Sequence, residues 1–308
     1  MSKFKLFALN GNLPLAKKIS EEVGVELSSA SVKHFADGEI QIDINESVRG
    51  DDVFVIQPVS NPVNENFMEL MIMVDALRRA SAHAIHVVVP YYGYARADRK
   101  ARSREPITAK LIANLLEMDG IDRFIAVDLH ADQLQGFFDI PVDHLQALPL
   151  LGRYLNERQI GDDVVVIAPD HSGTKHARAL AEILGAPIAI IDKRPGDDNV
   201  GVIGDVTGKH AIVVDDMIDT GRRVADSVTA LRENGAKDIY AVATHGVLSA
   251  GASDRLAQLD LKQIVLTDTI DIPESDRLDN MVILSVGPMI GQAIKLISSN
   301  QSIHPLFE

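Results

Sequence analysis

The sequence contains no cysteine, which excludes disulfides, thiolate nucleophiles and thiolate metal ligation. No apolar run approaches the about 18 residues that a membrane-spanning helix needs. The opening residues, MSKFKLFALNGN, enter a strand pattern directly, without the apolar core and small-residue cleavage site of a secretory signal. Cations are in deficit: 30 Lys and Arg face 44 Asp and Glu, a formal net charge of −14. A surface of that sign repels nucleic acid and anionic membranes. No low-complexity tract, long linker or strong internal repeat is present. The absences predict a cytoplasmic protein that binds neither nucleic acid nor membrane.

What is present is a regular alternation of strands and helices. Short β-branched runs recur at Lys5–Leu9, Val53–Gln57, Ala84–Val89, Arg123–Val127, Val164–Ala168, Pro187–Ile191, Ala211–Val214, Asp238–Thr244 and Met281–Ser285. Continuous rather than alternating apolar runs fit parallel strands covered on both faces. Helical spacing runs over Asn66–Ala80, Ile107–Glu117, Lys175–Leu184 and Val224–Glu233, and Asn12 with Pro14 marks an earlier helix start. This pattern is that of an α/β fold. At 308 residues the chain is long enough for two cores, and the strands are too many for one common sheet. The expected division is 1–145 and 146–308, with Pro141–Pro149 as the crossover and the last residues able to pack back on the first domain.

The densest chemistry lies in AIVVDDMIDTGRR, Ala211–Arg223. An apolar strand ends in Asp215 and Asp216, then a Thr220-Gly221 turn opens a helix. Ligands of open α/β sheets bind at such strand ends, and the amides of a helix start favour an anion. The pair of acids suits vicinal hydroxyls and the turn suits a phosphate, so a sugar phosphate satisfies both. The alternative is an ordinary turn with solvated acids. Elsewhere Arg96, Arg99, Lys100, Arg102 and Arg104 cluster around Asp98, which suits a small polyanion or a solvated loop. The preceding YYGYAR places Gly93 between aromatics, as close backbone approach or a special φ would require. Asp128 and His130 follow one strand and Asp170 and His171 another. His130 suits a hard cation or a structural hydrogen bond, and Asp170 suits a metal or a helix cap. Lys193 and Arg194 stand at the foot of a Gly- and Asp-rich loop, Lys193–Gly208, that suits a lid. Asp37-Gly38 reads as a hairpin turn before the strand that holds Ile40, Ile42 and Ile44.

Taken together, FADGEIQIDINESVRG, VNENFMELMIMVDALRRA, PYYGYARADRKARSREPITAK, DLHADQLQGFFDIPVDHL, APDH, IAIIDKR and VDDMIDTG resemble the motifs of the ribose-phosphate pyrophosphokinase family. The resemblance runs through essentially the whole chain. It implies two phosphoribosyltransferase-like α/β domains in a hexamer, and Mg²⁺-dependent transfer of the β,γ-diphosphoryl group of ATP to the anomeric oxygen of ribose 5-phosphate. By motif, Phe35, Asp37, Gly38 and Glu39 would contact ATP from a neighbouring subunit, and Arg96, Ala97, Asp98 and Arg99 would border the nucleotide. His130 and Asp170 would hold metal. Lys193, with Arg194, would stabilise the transition state. Asp215 and Asp216 would hold the ribose hydroxyls, and Asp219, Thr220, Gly221, Arg222 and Arg223 the 5-phosphate.

Departures from the family pattern fall on the same segments. Arg222 and Arg223 replace a small pair in the phosphate loop, removing a hydroxyl, and either bind the phosphate or occupy its place. Pro195, Gly196, Asp197 and Asp198 make the lid short and acidic. Ser172-Gly173 replaces a Gly pair, Ala97 replaces a Gln, and His304 and Pro305 alter the C-terminal segment. The expected activity is that of the synthetase. The alternative is a weak or inactive paralogue that regulates an active synthetase in a hetero-oligomer.

Overall fold

The computed structural model describes residues 4–161, 163–193, 200–249 and 251–306. The chain forms two units, one of Met1–Gln146, Thr269–Asp271 and Ser285–Glu308, the other of Ala147–Asp268 and Ile272–Leu284. In chain order the first unit holds β1 (Phe4–Ala8), α1 (Leu13–Val23), β2 (Ala30–His34), β3 (Ile40–Ile44), β4 (Asp52–Ile56), α2 (Val63–Arg79), β5 (Ala84–Val89), α3 (Thr108–Asp119), β6 (Arg123–Val127) and β7 (Val142–Leu145). The second holds α4 (Leu148–Glu157), β8 (Val164–Ala168), α5 (Thr174–Leu184), β9 (Ile188–Lys193), β10 (Val200–Ile203), β11 (His210–Ile218), α6 (Arg222–Glu233), β12 (Ile239–Gly246), α7 (Ala252–Ala257), β13 (Gln263–Thr267) and β14 (Met281–Leu284). The last helix, α8 (Gly287–Ser298), belongs to the first unit.

In the first unit five parallel strands lie in the order β1-β4-β5-β6-β7. β2 and β3 form a separate antiparallel hairpin, as the Asp-Gly turn predicts. One face of the sheet (Phe7, Val53, Val55, Val87, Phe124) packs with Leu70, Met73 and Leu77 of α2 and Ile112 and Leu116 of α3. The intervening residues Leu6, Phe54, Ile56, Val88 and Ile125 are equally buried, which is why these strands read as unbroken apolar runs. α1 starts where Asn12 Oδ1 accepts the Leu15 amide at 3.0 Å, and ends at Gly24 in the left-handed region. α8 packs closely on α1: a Cβ added at Gly291 would lie 2.5 Å from Glu22 Cγ, and Lys295 Nζ meets Glu22 Oε1 at 3.0 Å.

The second sheet has the order β10-β9-β8-β11-β12-β13-β14, with only β10 antiparallel to its neighbour. From β8 the chain passes to β9 on one side, then returns to place β11 on the other. The strand order therefore reverses between β8 and β11, the point at which open α/β sheets form a ligand crevice. Val165, Ile167, Ala211 and Val213 face Val224, Val228 and Leu231 of α6. Val166, Ala168, Ile212 and Val214 face Leu151 and Leu155 of α4 and Leu180 of α5. β8 pairs with β11 only as far as Val213, whereas β11 and β12 continue together to Ile218 and Gly246. Asp215 and Asp216 are thus part of a longer strand that projects past the end of β8, not residues beyond a strand that stops at Val214.

Two other expectations change. The stretch Pro141–Pro149 is not merely a crossover. It contains β7, whose Asp143 is bridged by Arg123 Nη1 at 2.7 Å. The loop Lys193–Gly208 contains β10, paired with β9. β2, β7, β10 and β13 are strands that the apolar-run reading passes over.

Candidate active site

The crevice of the second unit is built around one carboxylate. After β8, Asp170 Oδ1 accepts the amides of Ser172 (2.8 Å) and Gly173 (3.0 Å) and the Ser172 hydroxyl (2.5 Å). These bonds fold the turn that precedes α5. The helix cap itself is Gly173, without a side-chain acceptor, so Asp170 organises the turn and does not cap the helix. Its other oxygen, Oδ2, meets the Arg223 guanidinium from the opposite side of the switch point. Burial pushes the Asp170 carboxyl up, but the Ser172 hydroxyl, the Arg223 charge and the two amides outweigh it and hold the group below the usual carboxylate range. His171 Nε2 lies 3.2 Å from Asp192 Oδ1 of β9.

On the β11 side, Asp215 and Asp216 are each 9% exposed. Arg223 Nη1 stands 3.0 Å from Asp215 Oδ2, and Asp215 Oδ1 accepts the Asp216 amide at 3.1 Å. Burial raises the Asp215 pKa. The Arg223 charge opposes that rise and the neighbouring Asp216 adds to it. Beyond Ile218, Asp219 and Thr220 lead to Gly221, whose φ of 72° places it in the left-handed region at the cap of α6, and the Arg222 amide reaches Thr220 Oγ1 at 3.5 Å. Arg222 and Arg223 occupy that first turn. Arg255 of α7 donates to the Thr220 carbonyl and braces the turn from behind. The structure therefore brings Asp170, Asp215 and Arg223 into direct contact beside the Asp219–Arg222 turn. Lys193 closes β9. Arg194 lies outside the described residues, as do Pro195, Gly196, Asp197 and Asp198.

In the first unit the candidate residues lie on the hairpin and on loops at the strand ends. Phe35 is 50% exposed. The turn below it is closed by Phe35 N to Glu39 O (2.8 Å), Gly38 N to Phe35 O (2.9 Å) and Glu39 N to Asp37 Oδ1 (3.1 Å). The hairpin is tied to α2 where His34 Nε2 meets Glu69 Oε1 at 2.7 Å. Glu69 is buried and also accepts Asn10 Nδ2 (2.8 Å) and Gln57 Nε2 (3.0 Å). Glu69, Gln57 and Arg255 are site-shaping residues that sequence reasoning missed. A carboxylate on the apolar stripe of α2 is the signal that points to Glu69, and nothing local marks Arg255.

The loop after β5 carries Arg96, Ala97, Asp98 and Arg99. A Cβ on Gly93 would fall 2.4 Å from the Val59 carbonyl, so close backbone approach, not φ, demands glycine there. Asp98 Oδ2 accepts Gln133 Nε2 at 3.1 Å, tying this loop to the segment after β6. There Asp128 is buried at a φ of 38°, the Leu129 amide donates to His144 Nε2 at 2.9 Å, and His130 is exposed. His130 belongs to the first unit and Asp170 to the second. Among the described residues no three His, Asp or Glu side chains gather as a metal cage. Both Asp170 oxygens are already engaged, so a cation does not fit there while Arg223 holds its place.

Two family models match the chain: the N-terminal domain of ribose phosphate pyrophosphokinase over residues 4–120, and the phosphoribosyl synthetase-associated domain over residues 161–308. The ribose-phosphate pyrophosphokinase 2 of Enterococcus faecalis is 55% identical, covering 99% of this chain and 96% of that protein. The ribose-phosphate pyrophosphokinase of Bacillus caldolyticus is 54% identical, covering 99% and 98%. The crystal structure of phosphoribosylpyrophosphate synthetase from Mycobacterium smegmatis superposes with a TM-score of 0.94 at 43% identity, covering 97% of this chain and all of that one. The chain belongs to the ribose-phosphate pyrophosphokinase family.

Proposed function

We propose that the protein transfers the β,γ-diphosphoryl group of ATP to the C1 hydroxyl of ribose 5-phosphate, releasing PRPP and AMP. The observation that carries this reading is the crevice at the β8–β11 switch point. It joins two nearly buried carboxylates to a cationic helix-start turn in a chain at least 54% identical over 99% of its length to ribose-phosphate pyrophosphokinases. In this reading Asp215 and Asp216 orient the sugar hydroxyls. The Asp219–Arg223 turn receives the 5-phosphate, with Arg222 and Arg223 supplying charge where a hydroxyl is missing. Arg96 and Arg99 flank the nucleotide polyphosphate, and Lys193 and Arg194 neutralise charge that develops on the transferred group.

The half-exposed Phe35 at the tip of a tethered hairpin suits stacking on the adenine of a neighbouring copy, as in a hexamer. A cysteine-free chain suits the reducing cytoplasm. Mg²⁺ is the cofactor of this reading and would supply charge neutralisation on the polyphosphate. His130 is its candidate ligand in the first unit, and Asp170 of the second can bind it only when Arg223 leaves that carboxylate. The relatives carry the name of the catalyst, which favours activity over a purely regulatory subunit.

The test is AMP formation by the pure protein from ATP, Mg²⁺ and ribose 5-phosphate. Turnover that depends on both substrates is expected, with Lys193→Ala lowering kcat far more than ATP affinity. No turnover alone, with altered kinetics of a co-expressed synthetase, selects the regulatory subunit instead.

A further inference from the structure

Arg223 joins the two sides of the β8–β11 crevice. Arg223 leaves the first turn of α6 and places one guanidinium nitrogen on Asp170 Oδ2 and another 3.0 Å from Asp215 Oδ2. It is the cation that balances both carboxylates. Asp170 has no spare oxygen, since Oδ1 serves three donors of its own turn. Asp215 is nearly buried and would stand largely uncompensated without it. Yet the Arg223 side chain is 45% exposed and sits on the first turn of α6, so it can be drawn away at small desolvation cost.

We propose that Arg223 is a displaceable internal cation: it locks Asp170 to Asp215 while the Asp219–Arg223 turn is empty, and a phosphate monoester bound at that turn draws it off, opening the carboxylates to a divalent cation. Binding is thereby ordered, with the sugar phosphate first and the metal second. The driving exchange is one charge-assisted pair for another, guanidinium–carboxylate for guanidinium–phosphate. Of the two released carboxylates, Asp170 on the β8 side is the one that the Ser172 hydroxyl and the turn amides already hold ionised. No covalent step is involved. The inference rests on the sugar-phosphate reading of this turn, but its test does not depend on turnover.

The experiment titrates the full-length protein with Mn²⁺, followed by electron paramagnetic resonance of the free ion, with and without ribose 5-phosphate. The wild type is expected to bind Mn²⁺ weakly alone and about tenfold or more tightly with ribose 5-phosphate present, the scale of removing one positive charge a few ångströms from a divalent ion in a solvated crevice. Arg223→Gln should bind Mn²⁺ tightly without ribose 5-phosphate and gain little from adding it. Arg223→Lys, which keeps the charge, should resemble the wild type. Asp170→Asn placed in the Arg223→Gln background should abolish the gain, locating the ion, and the thermal midpoint of each variant shows that it is folded. Equal Mn²⁺ affinity in wild type and Arg223→Gln overturns the proposal, as does a gain that survives Asp170→Asn. Absence of AMP formation by a wild type that shows the expected Mn²⁺ response sinks the catalytic reading and leaves the displaceable cation standing.

Discussion

At the scale of single residues, histidines bracketing the start of β5 respond to pH in opposite senses. His86 stacks on Phe54, with ring centroids 4.6 Å apart. Burial first, and Arg123 second, push its pKa down. The unfolded chain therefore takes up the proton first as pH falls below about 6.5, and the contribution of neutral His86 to stability is lost through that window and downwards. His83 hydrogen-bonds Asp52 at 2.7 Å, and that bond with the carboxylate charge raises its pKa. Its contribution is present below about 6.5 and is lost as pH rises through the higher folded value. Urea midpoints taken between pH 8 and pH 5 should show less acid sensitivity in His86→Phe and more in His83→Gln. Parallel curves for the two variants would contradict the assignment.

Some residue roles were legible in the sequence and others were not, for physical reasons. Gly93 was legible because glycine between bulky aromatics signals a contact that no side chain permits, and the 2.4 Å approach to Val59 is that contact. Asn12 was legible because capping is local. Arg223 was ambiguous, since a cation on a phosphate turn reads alike whether it faces a ligand or carboxylates distant in sequence. Only the fold brings Asp170 within its reach.

At the scale of elements, β5, β6 and β8 match the apolar runs residue for residue, because both faces of each are buried. β7 hides because its core face carries Asp143, neutralised by Arg123 of the neighbouring strand. β2 and β10 hide because they are half-solvated or at an edge. β13 carries the same buried apolar signal as its neighbours, in a shorter run bounded by Gln263 and Thr267. Glu69 ties the hairpin of β2 and β3 to α2, beside the packing of Val32, Ile42 and Ile44 on the core. Glu69→Ala would remove the acceptor of Asn10 Nδ2, release His34 and leave Gln57 Nε2 with only the Asn66 carbonyl and Oδ1. Each lost hydrogen bond contributes about 0.5–1.5 kcal/mol net, so a loss of about 2 kcal/mol is expected in denaturant unfolding. Because the hairpin bears Phe35 and Glu39, the KM for ATP should rise more than kcat falls. A variant with lowered stability and an unchanged KM would confine Glu69 to folding and separate the hairpin from nucleotide binding.

At the scale of the whole molecule, the question is how a chain with net charge −14 attracts two polyanionic substrates. Range decides. At about 0.01 M ionic strength the screening length is about 30 Å, so an incoming nucleotide feels the acidic surface as a whole. At about 0.1 M it is about 10 Å, and the nucleotide feels mainly the exposed Arg96, Arg99, Lys100, Arg102 and Arg104 of the first unit. Raising salt over that interval removes distant repulsion faster than local attraction, and raising it further removes the attraction too. The association rate of ATP, followed by stopped flow, should therefore pass through a maximum near roughly 0.1 M salt. A steady fall from the lowest salt would mean that the cationic loop dominates at every range, and a steady rise would mean that it does not steer the nucleotide at all. Replacing Arg102 and Arg104 by Ser should move the curve towards the steady rise, because these charges lie in the cluster but outside the motif assigned to nucleotide contact. The overall charge could be counted from the sequence, whereas its consequence follows from where the fold exposes its cations.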